Sequence, residues 1–176
     1  GFQVLWVPGG WAADYLRQIS DRGDESIRNF VKKGGAYIGS CAGSYFAADR
    51  VNWRGTTYQY SVDLFAGTAI GDIQSIATYP AFALTSVVLD PTHPLNAGLN
   101  PTRTQLYGGG PYFAPDNPAA IAIAGRYGVD QSKSAVITFI YGAGRVLLTG
   151  SHPEIGIRYA TCDCAARGAG PDSGAD

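Results

Sequence analysis

The sequence predicts an α/β fold built on a parallel sheet with crossover helices, and three observations carry that expectation. A continuous apolar run over Gln3–Val7 ends at Pro8-Gly9-Gly10, as a buried strand entering a turn does. A helical stretch closed by Gly34-Gly35 then leads into a second short apolar run, Ala36–Gly39. That run turns sharply at Ser40-Cys41-Ala42-Gly43 toward another helix. Strand, helix, strand, turn, helix is the alternation of a parallel sheet whose strands are joined by crossovers.

The elements follow in order. Ala12–Ile19 reads as a short helix. Ser26–Val31 places Ile27, Phe30 and Val31 at three- and four-residue spacing, with Asp24 and Glu25 at a favourable helix start. Gly34-Gly35 stands where a left-handed cap ends a helix. The third helix is expected over Ser44–Ala48. From Val51 to Val88 aromatics, Thr, Ser and Gly dominate, predicting short strands and long loops over the sheet, with alternation at Ala83–Leu89. Pro91, Pro94 and Pro101 punctuate a loop. Ala119–Ala124 reads as a strand, and Ala135–Tyr141 pairs with Arg145–Thr149 as a hairpin across Gly142-Ala143-Gly144. Residues 1–164 are expected to form one domain and 165–176, rich in Gly, Ala and Asp, a flexible tail.

Composition narrows the function classes. A chain of 176 residues with 45% hydrophobic content builds one core, and its net charge of −1 offers no footprint for nucleic acid or anionic lipid. Lys32-Lys33 is the one adjacent basic pair, and no run has the length of a membrane span, so neither nucleic acid nor membrane is an expected partner. Cys41, Cys162 and Cys164 are an odd count, and one Cys-x-Cys pair cannot supply the four ligands of a structural zinc. No metal and no cofactor are expected. Few lysines, many tyrosines and the late Cys-Asp-Cys point toward a secreted protein, with a disulfide to a segment outside this chain. The chain has no methionine and opens inside a strand, so an upstream segment or second chain is expected to complete the fold.

Gly39-Ser40-Cys41-Ala42-Gly43 has the form G-x-nucleophile-x-G. A nucleophile on a tight strand-to-helix turn holds a strained backbone, and its neighbours must be small. The start of a helix also favours a thiolate. Taken alone, such a motif is more often a buried, inert cysteine beside a glycine turn. His152-Pro153-Glu154 leaves the end of the run Val146–Thr149. Proline extends the residue before it, and in extended chain residues two apart share a side, so Glu154 can reach the His152 ring. That is a base with its orienter, though a turn histidine beside a surface glutamate fits equally well. His93 also precedes a proline, has Leu95 in the carboxylate's place, and reads as structural.

Strand-Pro8-Gly9-Gly10, Gly39–Gly43 and Gly150-Ser151-His152-Pro153-Glu154 occur together in this order. The pattern resembles the class I glutamine-amidotransferase-like superfamily. Within it, the run Gly34–Phe46 and Tyr107-Gly108-Gly109-Gly110-Pro111-Tyr112-Phe113 are most similar to the amino-terminal-like domain family of biotin–protein ligases. The resemblance covers residues 3 to 157. It implies a flavodoxin-like three-layer sandwich with a mostly parallel central sheet, a nucleophile elbow and extra β-hairpins and loops, its first strand and helix lying outside this chain. It implies Cys41 as nucleophile, His152 as general base and Glu154 as its orienter, with the N–H groups of Gly10 and Ala42 as oxyanion donors. Gly9, Tyr45, Gly109 and Gly110 are expected, from loop position, to line the substrate pocket. Glutamine-using members carry Gln four residues after the nucleophile; Tyr45 stands there, which argues against glutamine.

The expected function is therefore a cysteine hydrolase or amidotransferase-like domain acting on a small-molecule or peptide amide or related carbonyl. A silent binding or scaffold module is the alternative, motivated by crowding from Tyr58, Tyr60, Tyr107, Tyr112 and Phe113. A third reading is redox, with Cys162 or Cys164 resolving an oxidised Cys41.

Overall fold

A computed structural model describes residues 1–155. The readings of Cys162, Cys164 and the 165–176 tail lie outside the described residues. The elements are β1 (Val4–Val7), α1 (Ala12–Gln18), α2 (Asp21–Lys32), β2 (Ala36–Ser40), α3 (Ala42–Ala47), β3 (Ala48–Trp53), β4 (Thr56–Gln59), β5 (Phe65–Gly71), β6 (Ala83–Leu89), β7 (Thr102–Tyr107), β8 (Tyr112–Pro115), β9 (Ile121–Tyr127), β10 (Ser134–Tyr141) and β11 (Gly144–Thr149). Seven strands form the main sheet in the order β1-β2-β11-β10-β9-β6-β7, and four form a second sheet in the order β4-β3-β5-β8.

The α/β class holds, but the main sheet is not mostly parallel. Only β1–β2 and β2–β11 pair in parallel; β11–β10, β10–β9, β9–β6 and β6–β7 are antiparallel. The connections dictate this. The helices α1 and α2 fill the crossover from β1 to β2, whereas Gly142-Ala143 is all that joins β10 to β11, and a two-residue link can only join antiparallel strands. Gly142 sits at φ 61°, and a Cβ there would lie 2.7 Å from the Lys32 carbonyl oxygen. The aromatic and Thr-rich middle of the chain folds into β3, β4 and β5 of the second sheet and β6 of the main one, and β7 and β8 arise where no element was expected.

Other departures are local. The second helix begins at Asp21, not Ser26, because the Ser20 hydroxyl caps it by accepting the Gly23 N–H. The third helix begins at Ala42, directly after Cys41, rather than at Ser44. β1 is an edge strand rather than a buried one: Val4 and Trp6 are about half exposed, and only Val7 is buried.

The main core joins α1, α2, α3 and one face of the sheet through Val31, Tyr37, Phe46, Phe65, Ile137, Val146 and Leu148. Three wholly buried tyrosines tie loops to the sheets: Tyr37 donates to the Gly43 carbonyl (2.8 Å), Tyr107 to Gly110 (2.8 Å) and Tyr127 to Pro111 (2.9 Å). Burial, above all, pushes their hydroxyls upward, so they remain neutral donors. The parallel pairing of β2 with β11 sets Ser40 opposite Thr149. The chain segments that follow, one with Cys41 and the other with His152, therefore leave the sheet at the same end.

Candidate functional site

Cys41 lies between β2 and α3 with φ 49° and ψ −103°, a region that side-chain-bearing residues rarely occupy. Its backbone is held on both sides: its N–H donates to Thr149 (2.8 Å), and its carbonyl accepts from the N–H groups of Ser44 and Tyr45. The flanking glycines have a steric cause. A Cβ on Gly39 would lie 2.7 Å from the Gly43 carbonyl oxygen, and one on Gly43 would lie 2.0 Å from that of Val7. Buried Ser44 donates to the Gly39 carbonyl and accepts from the Thr149 N–H, locking the elbow to β11.

His152 arrives from the neighbouring strand. Its N–H donates to the Leu106 carbonyl (2.8 Å), pinning it to the end of β7. The ring is nearly buried, and its Nδ1 lies 2.8 Å from Glu154 Oε1, which leaves Nε2 as the ring nitrogen not engaged by the carboxylate. Burial is the largest single influence on the ring and opposes its positive charge. The hydrogen bonds and negative charges of Cys41 and Glu154 together outweigh it and raise His152 from 6.5 to about 9. Burial likewise pushes Glu154 up, but hydrogen bonds from His152, its own backbone and Ser40, with the imidazolium charge, bring it below the usual carboxylate value. Ser40 in turn accepts from Trp6 Nε1 at 3.4 Å. Neither Ser40 nor Trp6 stood out in the sequence, because a serine in a small-residue turn carries no sign of a carboxylate nearby.

A cavity of about 350 Å³ opens beside Cys41. Tyr45 and Gly109, expected in the pocket, line it with Cys41 and Gly10, and Gly10 adopts φ 150°, which favours glycine. Gly108 lies there too, its carbonyl oxygen 3.8 Å from the Cys41 sulfur. Ala42 is the buried first residue of α3, and its N–H has no carbonyl four residues back within that helix. Gly9 and Gly110 do not line the cavity. Gly9 lies under the His152 ring, and Gly110 packs against the backbone of Gly150, because in both places only the absence of a Cβ permits the approach. Of the aromatic residues expected to crowd the cleft, Tyr58 and Tyr60 line it, Tyr107 and Phe113 lie in the cores, and Tyr112 faces elsewhere. Trp11, Leu16, Trp53 and Tyr79, not anticipated, complete the wall.

His93 has the structural role expected of it. Its Nδ1 accepts the Leu95 N–H (3.3 Å), so Nε2 carries the proton and donates to Thr138 (2.9 Å). A His93→Ala substitution is expected to cost about 1 kcal/mol in urea denaturation and to leave the reactivity of Cys41 unchanged. An altered thiol rate would mean that the His93 loop communicates with the elbow.

The architecture has relatives in known proteins. A crystal structure of a glutamine amidotransferase superposes with a TM-score of 0.62 at 19% identity, over 88% of this chain and 72% of that one. A β-galactosidase from Bacillus circulans sp. alkalophilus superposes with a TM-score of 0.51 at 13% identity, over 83% of this chain and 18% of its own. These likenesses establish a shared fold alone. In sequence, the chain is 32% identical to the biotin–protein ligase of Schizosaccharomyces pombe over 169 residues, spanning 86% of this chain and 25% of the ligase. It is 29% identical to an uncharacterized protein of Chlamydia muridarum over 159 residues, spanning 60% of that protein. The family described as "Biotin-protein ligase, N terminal" matches residues 2–168, and with nearly the whole chain matched, the protein belongs to that family.

Proposed function

We propose that the domain is a cysteine-nucleophile hydrolase or acyl-transfer unit acting on an amide or related carbonyl. The observation that carries this reading is the meeting of a strained Cys41, His152 and Glu154 at one end of two parallel strands, beside an open cavity. His152 takes the Cys41 proton, giving a thiolate–imidazolium pair, and the sulfur attacks the carbonyl carbon. A C–S bond forms, and the π electrons move to oxygen, facing the N–H groups of Gly10 and Ala42. Collapse expels the amine, which takes the Nε2 proton of His152. Neutral His152 then removes a proton from a water that attacks the thioester; the carboxylic acid departs, and the thiolate and imidazolium are restored. Glu154 fixes the ring and balances its charge throughout.

A binding module is the second reading, favoured by the Tyr45 ring, whose hydroxyl is spent on the Gly109 carbonyl (2.9 Å) inside the cavity wall. Iodoacetamide separates the two. An ordinary thiol is only a few per cent ionised at pH 7, so a Cys41 thiolate is expected to label about tenfold faster than N-acetylcysteine. The imidazolium that sustains it persists below about pH 9 and is lost above. The advantage over a His152→Ala variant should therefore be full near neutrality and vanish as pH rises past that value. A rate equal to that of N-acetylcysteine, unchanged in the variant, would transfer support to the binding module.

A further inference from the structure

We infer that the site takes a neutral, apolar acyl or amide group, aromatic or hydrocarbon, and not a free amino acid. The inference rests on the cysteine-nucleophile reading for its chemistry, while the cavity itself supplies the specificity.

Among the described residues, the lining holds no Asp, Glu, Lys, Arg or His side chain. A free amino acid carries an ammonium and a carboxylate, and each loses several kcal/mol of hydration unless a charged or multiply hydrogen-bonded partner meets it. No charged side chain among the described residues of this wall does so, and its polar side chains besides Tyr45 include the neutral Gln59 amide and the Tyr58, Tyr60 and Tyr79 phenols. Tyr45, the polar side chain nearest the elbow, has committed its hydroxyl to Gly109. Burial, followed by the charge of Cys41, pushes that hydroxyl far upward, so it gives no anionic partner for an ammonium.

What the wall offers is ring surface. Trp11 meets Trp53 edge-on at 5.8 Å and Tyr79 at 5.6 Å, and Trp53 meets Tyr79 at 5.9 Å and Tyr45 at 6.0 Å. These rings touch one another, Trp53 standing nearly perpendicular to Trp11, Tyr79 and Tyr45, and so form a continuous apolar wall. Leu16 and Val51 add aliphatic surface. The charges that do lie close are spent behind the wall. Arg54 forks onto Asp72 through two bonds of 2.9 Å, donates to the Tyr79 carbonyl (2.8 Å) and lies over the Trp53 ring at 5.4 Å, while Asp72 accepts the Tyr79 N–H (2.7 Å). This clamp fixes Trp53 and Tyr79 from outside, and a pre-set wall loses little entropy when an apolar group seats on it. The volume, about 350 Å³, suits a group of the size of a substituted benzene or a medium alkyl chain.

The test compares three alkylating reagents on Cys41: iodoacetamide, N-benzyl-iodoacetamide and iodoacetylglycine. In each, the thiolate displaces iodide and forms a thioether. Every rate is divided by the same reagent's rate with glutathione, which removes intrinsic reactivity. The expected order is benzyl at least tenfold above iodoacetamide, and the anionic reagent below it. A Trp53→Ala chain that remains folded by circular dichroism should lose at least threefold of the benzyl preference; if that variant does not fold, the wild-type order decides alone. Equal normalised rates, or preference for iodoacetylglycine, overturn the inference. The outcomes are distinguishable from failure of the catalytic reading. A normalised iodoacetamide rate near unity with a strong benzyl preference would retain the apolar site and remove the activated thiolate.

Discussion

A Gly9→Ala chain is expected to keep its fold and lose about 10²–10³ of whatever turnover depends on His152. The added Cβ would stand 2.3 Å from Cε1 of that ring, 3.1 Å from Nδ1 and 3.4 Å from Nε2. Gly9 is not among the glycines with positive φ, so alanine meets no backbone penalty, and the overlap falls on the imidazole alone. The ring has little freedom to absorb it. Glu154 holds its Nδ1, and Leu106 holds its backbone. Restoring ordinary contact requires a retreat of roughly 1 Å, and a catalytic group misplaced by that distance loses about 10²-fold in rate. The measurement is the pH profile of Cys41 alkylation beside a thermal melt. A profile that coincides with that of His152→Ala, at unchanged melting temperature, is the expected pair. Wild-type reactivity in Gly9→Ala would show that the ring has room to move and that its packing on the turn is incidental.

That role explains why Gly9, expected in the pocket, lies away from the cavity while Gly10, expected as an oxyanion donor, lines it. Both glycines follow the first strand and look alike in sequence, yet one faces the cavity and the other the base. What was legible depended on local chemistry. The G-x-Cys-x-G spacing and the His-Pro-Glu dyad announced themselves because each needs particular residue types at fixed short range, and the pairing of β2 with β11 brings the two segments to one end of the sheet. Direction of strand pairing was legible only where a short turn revealed it, at the hairpin of β10 and β11. The run Ser134–Tyr141 is as apolar as a central parallel strand, and only the two-residue link to Gly144 shows that its neighbour runs back. β7, Thr102–Tyr107, escaped notice because its burial is confined to its end, where Tyr107 enters the second core.

The aromatic wall illustrates a limit of another kind. Trp11, Trp53 and Tyr79 are separated by dozens of residues and come from a turn, a strand end and a loop. No periodicity links them. Their meeting follows from the second sheet, and it is the Arg54–Asp72 pair, itself from two different connections, that sets their positions. Arg54 adopts φ 52° to reach it, a cost of about 1–3 kcal/mol that the surrounding contacts must offset. Long-range polar clamps of this sort leave no mark in the local sequence.

A Gly110→Ala chain is expected to lose more than about 4 kcal/mol, enough to remove most of the stability of a domain of this size. The added Cβ would lie 1.7 Å from the Gly150 carbonyl oxygen and 2.7 Å from its carbonyl carbon. A reciprocal Gly150→Ala change would place its Cβ 1.8 Å from the Pro111 carbonyl oxygen and 2.2 Å from the Tyr127 hydroxyl. Both overlaps are with backbone, so no rotamer change relieves them; the loop must withdraw from β11. Withdrawal strains the hydrogen bonds of Tyr107 to Gly110 and Tyr127 to Pro111, leaving the Tyr127 hydroxyl without a partner and the Tyr107 hydroxyl with only the Ile73 N–H, at about 1–3 kcal/mol for each lost bond. Gly150 precedes Ser151-His152, and Gly110 follows the Gly108-Gly109 pair that borders the sulfur. The close approach of the two glycines therefore sets the distance between the base and the cavity wall. Urea denaturation of Gly110→Ala beside Gly98→Ala supplies the check, since a Cβ at Gly98 meets nothing within 4 Å and only its φ of 75° resists alanine. A Gly110 loss no greater than that of Gly98 would mean that loop and strand are not in contact, and that the wall is not positioned from β11.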